Sequence, residues 1–367
     1  MKKDISTQPI SSWMPGVGRP VIISGPCSAE SESQMVNTAK QIAALGKVHM
    51  LRAGIWKPRT RPGFYEGAGE EGLKWLVQAK KETGLPITTE VATAAHVEAC
   101  LKAGVDVLWV GARSTVNPFS VQDIADAVRG VDIPVMVKNP VNPDIELWIG
   151  ALERLNRAGI TRMAAIHRGF SSFEKGPFRN APMWNMPIEL KTRFPELDIL
   201  CDPSHICGHR DLIPFVAQKA LDLDMAGLMI ESHIEPAAAL SDAKQQVTPS
   251  ALGRILDGLV VRSPMAGSKE FKDTLTILRE QIDTLDDEII HKLAARMKIS
   301  EQIGTYKKEN NVTILQVGRW EEILHTRIAQ AQAMGLGEEF VSDLLKLIHN
   351  ESIQIQQTVM NKSAAKV

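Results

Sequence analysis

"VIISGPCSAE", residues 21–30, is an apolar, β-branched run that stops at Gly25-Pro26 and then presents Cys27, Ser28 and Glu30. No glycine-rich dinucleotide-binding turn follows it, which weighs against an open doubly wound sheet, the alternative fold for such a chain. Seven similar runs recur at the pace of successive βα units: "HMLRA" (49–53), "PITTEV" (86–91), "VDVLWVG" (105–111), "PVMVKN" (134–139), "MAAIHR" (163–168), "DILCD" (198–202) and "GLMIES" (227–232). Between them, stretches such as "SQMVNTAKQIAALG" and "DLIPFVAQKALDLD" carry apolar residues at helical spacing. Eight strands and eight crossovers in ~250 residues predict an α/β architecture, the (β/α)8 TIM barrel, over residues 13–262.

A chain of 367 residues is longer than one core usually organises, so a second domain is expected. Residues 263–273, within "VVRSPMAGSKEFKD", read as a linker, and beyond them strand signals stop. Three amphipathic segments follow, "LTILREQIDTLDDEIIHKLAARMKISEQIGTYKKE", "GRWEEILHTRIAQAQAMG" and "GEEFVSDLLKLIHNESIQIQQTVM". They predict a small all-α domain over residues 274–361, whose thin core points to a homodimer through the helical domain or a higher oligomer.

Charge excludes some functions. Forty-two basic and 43 acidic side chains nearly cancel, leaving no bulk attraction toward nucleic acid or membrane. No run approaches the ~18 apolar residues of a membrane span. The four cysteines lack paired zinc spacing, and no apolar segment follows the N-terminal lysines. A reduced, cytoplasmic protein is the expectation.

The C-terminal ends of the predicted strands carry the chemistry, since that rim of a barrel faces the active site. Cys27, His205, Glu231 and Asp242 fall there. Singly, Cys27 reads as a small core hydrophobe and Asp242 as a helix N-cap. Together they suit a divalent transition metal, the soft sulfur disfavouring magnesium. Arg52, Lys57, Arg59, Arg113, Lys138 and Arg168 follow apolar runs on the same rim. Gathering so many cations in a near-neutral protein costs repulsion unless an anion relieves it, and two phosphates plus a carboxylate fit that demand.

In order, "GPCSAE", "KPRT", "GAR", "VKNP", "HRG", "DPSH", "ESH" and "LSD" resemble 3-deoxy-arabino-heptulosonate 7-phosphate (DAHP) synthases of the short class that is similar to octulosonate synthases. The resemblance implies condensation of phosphoenolpyruvate with erythrose 4-phosphate, with one divalent metal per barrel, manganese by preference and cobalt or zinc as substitutes. It assigns Cys27, His205, Glu231 and Asp242 to that metal. Arg52, Lys57, Arg113, Lys138 and Arg168 are assigned to phosphoenolpyruvate, and Arg59 and Thr60 to erythrose 4-phosphate. Lys57 is the expected proton donor, its pKa lowered by surrounding cations. The rival reading, an octulosonate synthase acting on arabinose 5-phosphate, is disfavoured because that family reads Lys-Ala-Asn-Arg-Ser where this chain has Lys57-Pro58-Arg59-Thr60. One departure from the synthase pattern is Val116-Asn117, where many relatives have Gln-Asn.

The helical segments resemble the all-α chorismate mutases through "LREQIDTLD", "LAARMKISEQIGTYK", "GRWEE" and "NESIQIQQ". Taken alone, the cations on the long helix read as a solvated face. By the resemblance, Arg279 of one chain and Arg296 of the other hold the two carboxylates of chorismate, Arg319 and Ser352 complete the grip, and Lys307 and Gln356 donate to the ether oxygen. Gln316 and Trp320 stand where several relatives have Asp and Glu near the ring hydroxyl. A regulatory sensor and dimerisation module is the competing reading. Fusion of an early and a late step on one chain makes feedback by prephenate a reasonable expectation.

Overall fold

A computed structural model describes residues 5–58, 63–173, 176–263 and 268–361. The chain divides into two compact units, Met1–Pro264 and Met265–Val367. In the first, eight parallel strands close into a barrel in sequence order: β1 (Val21–Gly25), β2 (Met50–Arg52), β3 (Ile87–Val91), β4 (Val107–Val110), β5 (Val135–Lys138), β6 (Met163–His167), β7 (Asp198–Cys201) and β8 (Gly227–Glu231). The seam is the longest pairing, running from Val21 opposite Gly227 to Gly25 opposite Glu231. Each strand lies inside the apolar run that predicted it. Crossover helices begin where a side chain accepts a backbone N–H, as Ser31 does from Gln34, Thr93 from His96 and Asp144 from Leu147.

The two-residue period of a strand sends alternate side chains to opposite faces. Ile22, Leu51, Leu108, Val110, Val135 and Val137 pack outward, against the helices. Val21, Ile23, Met50, Val107, Trp109, Met136, Ala164, Ile166, Leu200 and Met229 form a separate cluster inside the barrel. Ile10 and Met14, from the short helix Ile10–Trp13 and its end, join this inner cluster. Asp198 fixes the segment, accepting from the Ile10 backbone N–H at 2.7 Å and pairing with Arg19. Continuing each inner series by steps of two leads to Cys27, Arg52, Lys138, Arg168, Asp202 and Glu231.

The second unit has a long helix (Lys269–Glu309), a middle helix (Val317–Ala333) and a last helix (Glu338–Asn361). The long helix starts inside the stretch read as linker, because Ser268 Oγ accepts from Phe271 N and the following residues have no breaker. Its second half packs on the last helix. Contact there is close at Gly304, where a Cβ would lie 3.1 Å from Gln356 Cα. The first half instead exposes Phe271, Leu278, Ile282, Leu285 and Ile289, each at least half accessible. No helix among the described residues is long and apolar enough to cross a membrane.

The barrel seam leaves no room for a side chain at Gly227, where a Cβ would lie 2.1 Å from the Val21 carbonyl oxygen. Gly227→Ala is expected to cost about 3 kcal/mol or more by forcing β1 and β8 apart, read as a lowered urea midpoint of the barrel transition.

Candidate active sites

Trp109, fully buried at the end of β4, is the floor on which the barrel site is built. Its indole donates to Glu90 Oε2 at 3.1 Å, and the Arg52 guanidinium and Lys138 ammonium lie 5.0 and 5.6 Å from its ring centre. Such cation–π contact helps to hold charges that burial strips of water. Lys138 Nζ pairs with Asp202 Oδ2 at 2.8 Å, and Arg52 Nη2 lies 3.2 Å from Glu231 Oε1. Burial opposes the charge on Asp202, yet His205, Lys138 and Arg52 hold its carboxyl well below the usual range. Glu231 is shifted the same way, with His205 and Arg52 outweighing burial.

His205 lies on the short helix Pro203–Cys207, not in the strand itself. Asp202 caps that helix through the His205 backbone N–H at 3.1 Å and stands 2.7 Å from His205 Nδ1. Nε2 is thereby turned toward Glu231 Oε1, 3.7 Å away. Burial lowers the imidazole pKa, with Asp202 working against it.

Cys27 and Lys57 meet because the loops after β1 and β2 continue to pair: Gly54 N donates to Cys27 O, and Ala29 N to Gly54 O, both at 3.0 Å. Lys57 Nζ lies 2.9 Å from Cys27 Sγ and 3.1 Å from its carbonyl oxygen. Burial works to lower the lysine pKa, but Cys27 and Glu231 prevail and raise it. The expected lowering is therefore corrected: Lys57 contacts the sulfur and carbonyl oxygen of Cys27 and feels the charge of Glu231, and the rim cations do not dominate. The Cys27 thiol is pushed up to about 12 by burial and then by Glu231.

Asp242 Oδ2 lies 3.3 Å from Cys27 Sγ, while its Oδ1 accepts from Arg179 at 2.8 Å. Asp242 has a positive φ of 49° and caps no helix. Arg179 also donates to Gln245, and Gln245 donates to Glu231 Oε2 at 2.7 Å. Buried Arg168 donates to Asn180 Oδ1 at 2.8 Å, and its backbone N–H to Asn139. Burial, with Arg179 and Arg113 nearby and Asp202 opposing, brings Arg168 down to about 10. Arg113 is exposed on the helical turn Ala112–Thr115 after β4. Arg59 and Thr60 lie outside the described residues.

The donor chemistry fits a transition metal. Cys27, Asp242, Glu231 and His205 are neighbours pair by pair, and Glu231 Oε1 is buried without a hydrogen bond. They are not closed into a cage: no group of three or more His, Cys, Asp or Glu among the described residues is placed to hold an ion. Lys57 on Cys27 and Arg179 on Asp242 take up two of the four donors. Coordination by Cys27 would remove its proton, since a bound cation favours the thiolate.

Asp202, Glu90, Arg179 and Gln245 are absent from the sequence-derived site. Asp202 and Glu90 could have been found from strand parity, each continuing an inner series. Nothing in the sequence singles out Arg179. A groove of about 750 Å³ between the helices Glu70–Thr83 and Ala94–Ala103 is on the outer surface and holds none of the rim residues.

In the helical unit, Arg296 Nη1 donates to Ser352 Oγ, Lys307 Nζ reaches Ile314 O, and Gln356 Oε1 is buried without a partner. Ser352 and Gln356 are one turn apart on the last helix, opposite Arg296, Gly304 and Lys307 on the long helix. Arg319 pairs with Glu322 at 2.7 Å. Arg279 lies on the exposed first half of the long helix.

Two family models match the chain, one over each unit. The DAHP synthetase I family model matches residues 4–260, and the chorismate mutase type II model matches residues 278–357. The chain belongs to the DAHP synthetase I family and carries a C-terminal chorismate mutase type II domain. A phospho-2-dehydro-3-deoxyheptonate aldolase of Thermotoga maritima is 34% identical over 232 residues, 63% of this chain and 66% of that protein. A 2-dehydro-3-deoxyphosphooctonate aldolase of Polaromonas naphthalenivorans is 29% identical over 65% of this chain and 88% of its own length. The crystal structure of a Thermotoga maritima DAHP synthase superposes with a TM-score of 0.59 at 31% identity, covering 65% of this chain and 67% of that one.

Asp202 holds three cationic or imidazole neighbours at once, so Asp202→Asn is expected to cost about 3–5 kcal/mol at pH 7 by leaving buried charge uncompensated. Its folded pKa is depressed, so this stabilisation is present above the unfolded carboxyl value of about 4 and lost as pH falls toward the lower folded value. Urea denaturation of both proteins should show the full gap at pH 7 and a smaller one at pH 3.

Proposed function

We propose that the barrel condenses phosphoenolpyruvate with erythrose 4-phosphate to DAHP and phosphate, and that the helical domain rearranges chorismate to prephenate. The observation that carries the first assignment is the buried charge at the barrel mouth. Arg52 keeps Nε and Nη1 buried without hydrogen bonds, beside Lys138 on the same indole and next to the Cys27, His205, Glu231 and Asp242 rim. Unspent donors on a buried guanidinium suit a planar carboxylate or a phosphate.

In this reading Arg52, Lys57, Arg113, Lys138 and Arg168 neutralise phosphoenolpyruvate and fix its orientation. Cys27, His205, Glu231 and Asp242 would hold a divalent transition metal, with manganese, cobalt or zinc as the candidates. What the ion supplies when bound is polarisation of the sugar aldehyde. Carbon 3 of phosphoenolpyruvate forms the new bond to the aldehyde carbon, water adds at carbon 2, and inorganic phosphate leaves. Lys57, kept charged by its neighbours, offers Nζ as a charge-assisted donor to the developing alkoxide and passes its proton on. Arg59 and Thr60 are proposed, from the resemblance, to take the sugar phosphate.

Rearrangement of chorismate needs no nucleophile. Partial negative charge builds on the ether oxygen as its bond to the ring breaks, so fixed donors lower the barrier. Lys307 and Gln356 are proposed in that role, with Arg296, Arg319, Ser352 and a partner's Arg279 holding the carboxylates. The exposed stripe Phe271, Leu278, Ile282, Leu285 and Ile289 supports the dimer, since its spacing of three, four or seven residues suits a second helix. Retention of donors for the ether oxygen favours catalysis over sensing alone.

Chelation is expected to abolish the condensation and spare chorismate turnover, with manganese, cobalt or zinc restoring it; Cys27→Ala should match the chelator. Phosphoenolpyruvate loss with erythrose 4-phosphate is expected to exceed that with arabinose 5-phosphate, and added prephenate should slow it. Full activity of metal-free protein would remove the ligand assignment.

Arg279→Ala and Arg296→Ala should each be nearly inactive in chorismate turnover. Refolded as an equal mixture, half the dimers are mixed and each rebuilds one site of two, so about a quarter of wild-type activity should return. Absence of recovery in verified heterodimers would place Arg279 in its own chain's site or make the domain a sensor.

A further inference from the structure

The middle and last helices of the helical unit are joined by a stacked aromatic pair. Trp320, on the middle helix, stacks on His349 of the last helix with ring centres 4.0 Å apart and planes 11° from parallel. His349, Ser352 and Gln356 follow one another at three and four residues, so they share one face of that helix. Ser352 on this face accepts from Arg296, and Gln356 lies against Gly304 of the long helix. His349 therefore belongs to the surface that bears the proposed chorismate contacts. Its Nε2 is buried without a hydrogen-bond partner, as is Gln356 Oε1.

An imidazole nitrogen left buried and unpaired costs desolvation that a bound polar group can recover. Chorismate has two carboxylates, an ether oxygen and one ring hydroxyl. The arginines and Ser352 account for the carboxylates, and Lys307 with Gln356 for the ether oxygen. The hydroxyl has no assigned partner: the acidic pair of related mutases is replaced here by Gln316 and Trp320. Burial, then the charges of Arg296 and Lys307, lower the His349 pKa and favour the uncharged ring. A neutral imidazole nitrogen can accept from a hydroxyl or donate to it, depending on tautomer.

We propose that His349, held in place by the Trp320 ring, is the residue that recognises the ring hydroxyl of chorismate through Nε2. Trp320 then acts as a positioning residue, and the stacked pair takes over the task of a carboxylate. The inference rests on the chorismate mutase reading.

The test is steady-state turnover of chorismate and of an analogue lacking the ring hydroxyl, by the full-length protein and two variants. His349→Phe keeps a ring for Trp320 and removes both nitrogens. It is expected to lower kcat/KM for chorismate by about 3–10-fold while leaving the analogue unchanged, so the preference for the hydroxyl collapses. His349→Gln retains a hydrogen-bonding group and should preserve that preference even if the absolute rate falls with the lost stack. Circular dichroism and the thermal midpoint report folding of both. An unchanged preference in His349→Phe, or an equal loss on both substrates, would overturn the proposal, and for a poorly folded His349→Phe a lost preference in His349→Gln would do the same. No chorismate turnover by the unsubstituted protein would instead remove the mutase reading itself.

Discussion

A closed parallel barrel has no edge and no free face, so every second residue of each strand is committed to its interior. At the N-terminal end that obligation is met by apolar side chains and by Ile10 and Met14. Two residues further along the same strands it is met by Arg52, Lys138, Asp202 and Glu231, whose charges are buried on or around Trp109. The architecture forces these groups together, and only mutual pairing makes them tolerable. Site and fold are therefore set by one pattern, a change from apolar to ionic along the inward residues.

Pairing inside the mouth is incomplete in an informative way. Asp202 is shared by Lys138, His205 and, at 4.0 Å, Arg52. Glu231 is shared by Arg52 and Gln245, yet one of its oxygens has no hydrogen bond. Two positive groups, Lys57 and Arg179, occupy Cys27 and Asp242. The proposed metal ligands are thus already balanced by the protein's own cations. A divalent ion held by these residues would have to compete with those two contacts.

The eight strands were legible because each is a short apolar run bounded by polar or glycine residues, a pattern that barely depends on the rest of the chain. Rim residues were legible where they ended such a run, as Arg52, Lys138 and Glu231 do. Asp202 belongs to the same "DPSH" motif as His205, but as one residue of a short polar turn it has no sequence signal of the contacts it makes to Lys138, His205 and Arg52. Arg179 comes from a segment without a periodic signal, and only tertiary folding brings it to Asp242. The direction of the Lys57 shift depended on which neighbours lie nearest in space, and a string of rim cations suggested the wrong ones. At residues 269–273, the charges of "KEFKD" resemble a linker, yet they are good helix formers behind the cap Ser268. His349 carries no sequence signal, because its stack on Trp320 joins two helices far apart in the chain.

The long helix carries its exposed apolar stripe from Phe271 to Ile289 and the proposed chorismate contacts Arg296 and Lys307 on one uninterrupted rod. A helix turns by about 100° and rises 1.5 Å per residue, so the six residues between Ile289 and Arg296 set the phase of one surface against the other. One residue inserted there would swing the stripe a quarter-turn or more around the rod, leaving both surfaces intact in composition but no longer in register. Length in this segment is consequently fixed more strictly than its exposed side chains suggest, and variation should be accommodated in steps of seven rather than singly.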